Sequence, residues 1–246
     1  MAILELRGVD KSFGALEVLS RIDLDIEEGK ITSVIGPNGA GKTTLFNVIS
    51  GRFPASAGTI LFKKRDITGM KPPEITLAGL ARSFQITNIF KRLTVSENIF
   101  LAVQTKSPQR LSLFGRAKGL SELREKTNEI LERLGLQKWA GMPAGQLSHG
   151  DQRHLEIGMT LATGPELLML DEPTSGMSLG EAAKTMDLIK DLSRDFTILL
   201  IEHNMDLVMN ISDRIVVLNF GRKFAEGSPE EVADNPEVRR VYLGGV

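Results

Sequence analysis

Residues 31–43 constrain this chain more than any other stretch. The apolar run Ile31-Thr32-Ser33-Val34-Ile35 reads as a short buried strand, and it leads straight into Gly36-Pro37-Asn38-Gly39-Ala40-Gly41-Lys42-Thr43. That segment fits the spacing G-x-x-x-x-G-K-[ST], and a helix is expected from Lys42 to about Ser50, stopped by Gly51. The glycines let the backbone curl so that its N–H groups point inward at phosphate oxygens. The helix that follows adds its own unpaired N–H groups and the positive end of its dipole. Lys42 is placed to reach the β- and γ-phosphates, and the Thr43 hydroxyl to ligate Mg2+. With Gly at about 7% of residues, a chain of this length meets the pattern by chance roughly once in a hundred. The alternative, a glycine-rich strand-to-helix turn with no ligand, sits poorly with a strand before the loop and a helix after it.

Around this loop the pattern is that of an α/β protein. Residues 3–27 approximate the period-two alternation of strands, and further strand signals fall at Thr59–Phe62, Leu80–Phe84, Leu167–Leu170, Thr197–Ile201 and Ile215–Leu218. Residues 178–194 lie between two apolar strands, as a βαβ crossover does. From about 86 to 160 buried-strand patterns nearly vanish. Leu123, Ile130, Leu131 and Leu134 follow helical spacing closed by Gly135, so a helical subdomain is expected within an α/β core made of 1–85 and 161–246. Residues 105–119 read as a surface loop.

Four groups fall just past the carboxyl ends of expected strands, the edge where open parallel sheets bind ligands. They are the phosphate loop, Gln85, the pair Asp171-Glu172, and His203. In a P-loop NTPase an Asp in this place holds Mg2+, and the next acid, Glu172, is suited to polarise an attacking water. Taken alone, Gln85 reads as a surface residue and His203 as a cap or a satisfied core histidine. Their shared edge points instead to Gln85 on Mg2+ or water and His203 on the γ-phosphate as charge develops there. A fifth segment, Leu147-Ser148-His149-Gly150-Asp151-Gln152, opens a helix. Ser148 is a natural N-cap, and with Asp151 it has the form of a capping box. The same helix start can also bind a phosphate. Since the first loop already cradles one nucleotide, this one is expected to meet a nucleotide held by another copy.

In this order, Gly36–Thr43, Gln85, Leu147–Asp151, Leu167–Glu172 and His203 resemble the ATP-binding subunits of ABC transporters, over nearly the whole length. The resemblance implies a P-loop NTPase of RecA-like core with an antiparallel β subdomain and an inserted helical subdomain. It implies ATP and Mg2+. It places Phe13 on adenine; Gly36, Pro37, Asn38, Gly39, Ala40, Gly41, Lys42, Thr43 and Thr44 on the phosphates; and Thr43, Gln85 and Asp171 at the metal. It makes Glu172 the general base and His203 the switch histidine, with Lys42 and Gln85 beside them. Ser148 and Gly150 close over ATP in the opposite subunit. Finer likeness, in Arg82-Ser83-Phe84-Gln85, Phe90–Asn98, Glu202–Met209 and Val241–Gly244, is to the branched-chain amino acid uptake branch with its urea and amide relatives. The tail also resembles the ATPase of lipopolysaccharide export. His149, Asp151 and Ser178 depart from the family's common residues. The implied partners are a second ATPase subunit, the same chain or a paralogue, and transmembrane permease subunits, which would hold the chain peripherally at the cytoplasmic face of the membrane.

Composition agrees by exclusion. With no Cys, thiolate chemistry and disulfides are absent, and three His leave little room for a histidine metal site. Thirty Lys and Arg against 31 Asp and Glu argue against a nucleic-acid binder. No apolar run approaches the roughly 18 residues of a membrane span. The N-terminus shows no basic region followed by an apolar stretch, so a cytosolic chain is expected. A soluble ABC ATPase normally carries two ATPase units or a long coiled-coil insertion. A small-molecule kinase would explain the phosphate loop but neither Leu147–Asp151 nor His203.

Overall fold

A computed structural model of the 246-residue chain describes residues 1–83, 89–105 and 116–243, with side chains described except at 116–118 and 241–243. Gln85, most of the 105–119 loop and the end of the tail lie outside the described residues. The chain divides into two compact units, one made of Met1–Arg82, Glu166–Pro173 and Ile189–Val246, the other of Ser83–Pro165 and Thr174–Leu188.

The first unit holds two sheets. Strands β1 (Ala2–Phe13), β2 (Leu16–Glu27), β4 (Ala57–Phe62) and β5 (Arg65–Asp66) form an antiparallel sheet in the order β2-β1-β4-β5. Its register sets apolar residues against each other on one face, with Leu4 opposite Ile26, Leu6 opposite Leu24 and Val9 opposite Ile22, while Asp23 and Asp25 face water. The second sheet has the order β10-β9-β3-β8-β7-β6, from β3 (Ile31–Ile35), β6 (Leu80–Arg82), β7 (Leu167–Asp171), β8 (Thr197–Ile201), β9 (Arg214–Asn219) and β10 (Arg222–Gly227). All its pairings are parallel except β9 with β10. Every residue of β3, β7 and β8 is buried, which is why these strands read as unbroken apolar runs rather than alternations.

Helix α1 (Lys42–Ile49) joins the two sheets into one core. Its Leu45, Phe46, Val48 and Ile49 pack in a single cluster with Leu19, Ile22 and Leu24 of one sheet and Val34, Leu167, Met169, Leu199 and Val216 of the other. Fully burying a side chain such as Phe46 contributes about 1.5–3 kcal/mol. The strand expected over Leu80–Phe84 keeps its ladder only to Arg82, and Phe84 lies outside the described residues. This unit also holds α2 (Pro72–Ala78), α7 (Met205–Ile211), α8 (Pro229–Asp234) and α9 (Pro236–Leu243).

In the second unit, α3 (Val95–Gln104), α4 (Arg116–Arg133) and α5 (His149–Leu161) pack on one another. Thr94 caps α3, accepting from the Glu97 N–H while the Glu97 carboxylate accepts from the Thr94 N–H. Gly135, at φ +67°, ends α4 as its position after the apolar pattern predicts. Gly158 is where α5 meets the other two. A Cβ there would stand 2.2 Å from Leu134 Cδ1 and 2.9 Å from Ile99 Cδ1. Helix α6 (Leu179–Leu192) supplies the crossover between β7 and β8 that the sequence spacing predicts.

Candidate active site

In the first unit β3, β7 and β8 run parallel, so Ile35, Asp171 and Ile201 end at the same edge. After β3 the chain turns through Gly36, Gly39 and Gly41, at φ +155°, +80° and +100°. A Cβ at Gly36 would lie 2.2 Å from the Leu218 carbonyl oxygen, so only glycine lets the loop leave the sheet here. The Gly221 N–H donates to the Ala40 carbonyl at 3.1 Å and pins the far side of the loop. Gly41 is the N-cap of α1 and offers no side-chain cap, so the first N–H groups of the helix have no side-chain partner. Lys42 folds over the loop, its Nζ donating to the carbonyls of Gly36 at 2.7 Å and Pro37 at 3.0 Å. Burial pushes its pKa below the ordinary lysine value, against the pull of Glu172 and Asp171.

Past β7 the chain takes an unusual step. Glu172 has φ +48°, a conformation rare for a residue with a Cβ, and its N–H is tied to the Ile201 carbonyl at 2.9 Å. Such a backbone costs on the order of 1 kcal/mol and is kept where the geometry serves a purpose. Here it brings Oε1 of Glu172 to 2.6 Å from Nε2 of His203, just past the end of β8. The His203 N–H donates to the Glu202 carboxylate, and Asn204 caps α7 directly after it. An acid, a histidine and an ammonium from three strand ends are thus gathered at one edge.

Phe13 ends β1 and is 44% exposed. Its ring stands edge-on to Phe53 at 5.3 Å between centroids, and Lys11 Nζ lies 4.7 Å from its centre while donating to the Pro54 carbonyl. Neither Lys11 nor Phe53 is singled out by sequence reasoning; nothing in the sequence says that they meet at Phe13. Arg82 is a stronger omission. Its guanidinium is buried, donating to Asp171 Oδ2 at 2.7 Å, Asn47 Oδ1 at 2.7 Å and Ser50 Oγ at 3.1 Å. In the sequence Arg82 figures only as part of the segment leading to Gln85, and nothing local says that it meets Asp171.

Ser148 and Gly150 belong to the second unit. Ser148 caps α5, its Oγ accepting from the Asp151 N–H at 3.1 Å. The reciprocal half of a capping box is replaced. The Asp151 side chain is one methylene shorter than Glu, and it accepts from the Ser148 hydroxyl at 2.9 Å. Ser148 and His149 are exposed, whereas Gly150 packs against Glu181, where a Cβ would come within 3.3 Å of its Oε1. Ser178, one of the departures, donates its hydroxyl to Glu181 at 2.7 Å at the start of α6, and this holds the Glu181 carboxyl below its usual pKa.

These residues fit a Mg2+-bound nucleotide. The α1 terminus is uncapped by side chains, the loop tip at Gly39 opens into space where a Cβ would meet nothing within 4 Å, and a lysine overhangs the loop. Thr43 and Asp171 are hard oxygen donors of the kind Mg2+ prefers.

Comparison with known proteins assigns the family. A family model described as ABC transporter matches residues 19–175, and one described as branched-chain amino acid ATP-binding cassette transporter matches residues 222–246. The chain is 41% identical over 251 residues to the high-affinity branched-chain amino acid transport ATP-binding protein LivG of Salmonella typhimurium, covering 98% of each chain. A solved ADP conformation of an ATP-binding cassette of an ABC transporter superposes with TM-score 0.88 at 34% identity, covering 99% of each chain. A dimeric post-hydrolysis cassette bound to ADP and Pi does so with TM-score 0.77 at 26% identity, covering 92% of this chain and 98% of that one. With the phosphate loop, the acid pair and the histidine at one sheet edge, this chain belongs to the ABC transporter family, as one of its ATP-hydrolysing subunits.

Proposed function

We propose that this chain energises a membrane importer of branched-chain amino acids or related small polar solutes. It would act as a peripheral subunit at the cytoplasmic face together with a second ATPase subunit and transmembrane permease subunits. The observation that carries the catalytic part is the 2.6 Å contact between Glu172 and His203 beside the phosphate loop. The likeness to LivG supports the cargo, and the dimeric cassette supports the second subunit. Among the described residues no helix is long and apolar enough to cross a membrane, consistent with attachment through other subunits.

In this reading Phe13 stacks on the adenine, and the N–H groups of residues 36–44 hold the phosphates with Lys42 on the β- and γ-groups. Mg2+, when bound with the nucleotide, neutralises phosphate charge. Thr43 and Asp171 would be its side-chain donors here, with Gln85, outside the described residues, as a third. Glu172 takes the proton from the attacking water, and His203 holds the Glu172 carboxylate in place and meets the developing charge on the γ-phosphate. Ser148 and Gly150 complete the site of the opposite subunit. Gln85 and the helices after it dock the permease. Residues 1–246 act as a single ATPase domain.

The test is uptake of labelled leucine by cells in which this chain, produced with permease subunits from the same source, replaces the host system. Uptake that is abolished by Glu172→Gln supports the reading. Wild-type complexes that hydrolyse ATP without leucine uptake, but move another solute, would reject the cargo and keep the ATPase.

A further inference from the structure

Arg82 is poised for more than packing. It ends β6, and its guanidinium reaches Asp171 on β7 and both Asn47 and Ser50 at the α1 end of the phosphate-loop helix. The side chains of Arg82 and Asp171 are 7% and 0% exposed. The arginine stands 5.7 Å from the Phe46 ring, and among the described residues its Nε has no hydrogen-bond partner. A core that needed only filling would not retain a guanidinium with an orphan donor. Burial pulls the Arg82 pKa down and Asp171 pulls it back up, with Arg52 close enough to add a repulsion.

The charges at this edge matter for a divalent cation. Of the three acids at this edge, Asp171 pairs with Arg82, Glu172 contacts His203 and Glu202 accepts from the His203 N–H, while Lys42 lies over the phosphate loop. Among the described residues, no group of three or more His, Asp or Glu side chains converges as a metal cage. The one acid expected at the metal is already neutralised by an arginine 2.7 Å away. Hard divalent cations need several oxygen donors and net negative charge, which the phosphates of a nucleotide bring with them.

We propose that Arg82 is a positioning residue that makes metal binding conditional on nucleotide: it holds the Asp171 carboxylate neutralised and oriented, so that a divalent cation enters only together with the nucleotide phosphates. The inference rests on the nucleotide-site reading above. Arg82 also precedes Ser83 and the Gln85 segment directly, so the residue that balances Asp171 sits on the strand leading to that segment.

The test is Mn2+ binding by the full chain, followed by electron paramagnetic resonance with and without ADP. Wild type should bind Mn2+ at least tenfold more tightly with ADP than without, about 1.4 kcal/mol. Arg82→Gln should bind Mn2+ without nucleotide at least tenfold more tightly than wild type does. Arg82→Lys, which keeps a charge but loses the fork to Asn47 and Ser50, should stay conditional on ADP. A merely structural arginine would leave the ADP requirement intact in Arg82→Gln while lowering the unfolding temperature, and that result overturns the proposal. Removing one partner of a buried ion pair destabilises strongly, so Arg82→Gln is at risk of not folding. In that case wild type and Arg82→Lys decide: tight Mn2+ binding by either without ADP overturns the proposal. If wild type binds no Mn2+ even with ADP, the nucleotide-site reading itself fails.

Discussion

Replacing Lys42 with methionine separates what this residue does for folding from what it does for binding. The Lys42 ammonium is buried and donates to two loop carbonyls, at Gly36 and Pro37. Hydrogen bonds from a charged donor contribute about 1.5–3 kcal/mol, but burying the charge offsets them. Burial acts on the Lys42 ammonium more strongly than the pull of Glu172 and Asp171 and holds its pKa below the ordinary lysine value. Lys42→Met should therefore change stability by no more than about 1 kcal/mol, or about 2–4 °C in Tm for a chain of this size. On nucleotide the same change removes a charge-assisted contact to phosphate, about 1.5–3 kcal/mol, or roughly 10- to 150-fold in Kd. The sign with pH follows. The folded pKa lies below the unfolded value of 10.5, so the cost of the buried charge is fully present below the folded pKa and is relieved as pH rises through it. Wild type should gain on the variant as pH approaches 10.5. Calorimetric titration with Mg-ATP and thermal unfolding over pH measure both parts. Affinity within threefold of wild type refutes the phosphate role. A large fall in Tm, with or without lost binding, refutes the argument that the loop stands without its lysine.

Glu172→Gln should keep nucleotide binding and lose hydrolysis by roughly 10²–10⁴-fold, since an amide is a very poor base. It should then accumulate as an ATP-bound dimer in light scattering, and Ser148→Arg in the same chain should return it to monomer; a strict monomer under ATP saturation would point to a paralogous mate, checked by mixing. Gly158→Ala should cost about 1–3 kcal/mol by chemical denaturation, because the new Cβ would sit 2.2 Å from Leu134 Cδ1; an unchanged midpoint would mean that α4 and α5 separate freely. Gly36→Ala should abolish nucleotide binding through the clash with the Leu218 carbonyl, and normal binding would show that the loop leaves the sheet differently.

Sequence alone determined the features that are local. The strand, glycine turn and helix of residues 31–49 are legible because turn chemistry, apolar runs and helix start all act within a few residues. For the same reason Ser148 is readable as a cap and Gly135 as the end of α4. Even the shared edge of Glu172 and His203 follows from each lying past a buried parallel strand. What only the tertiary structure decided are the contacts across long separations and the strain that they permit. Arg82 meets Asp171 across 89 positions and Asn47 across 35, pairings that no local pattern encodes. Lys11 and Phe53 meet at Phe13 because the turn after α1 returns to the end of β1. The positive φ of Glu172 goes against local preference and persists because the ladder bond to Ile201 and the contact to His203 hold it. The segment 174–188 groups with the helices rather than with the strand that it follows, because grouping depends on which side chains pack together, not on order along the chain.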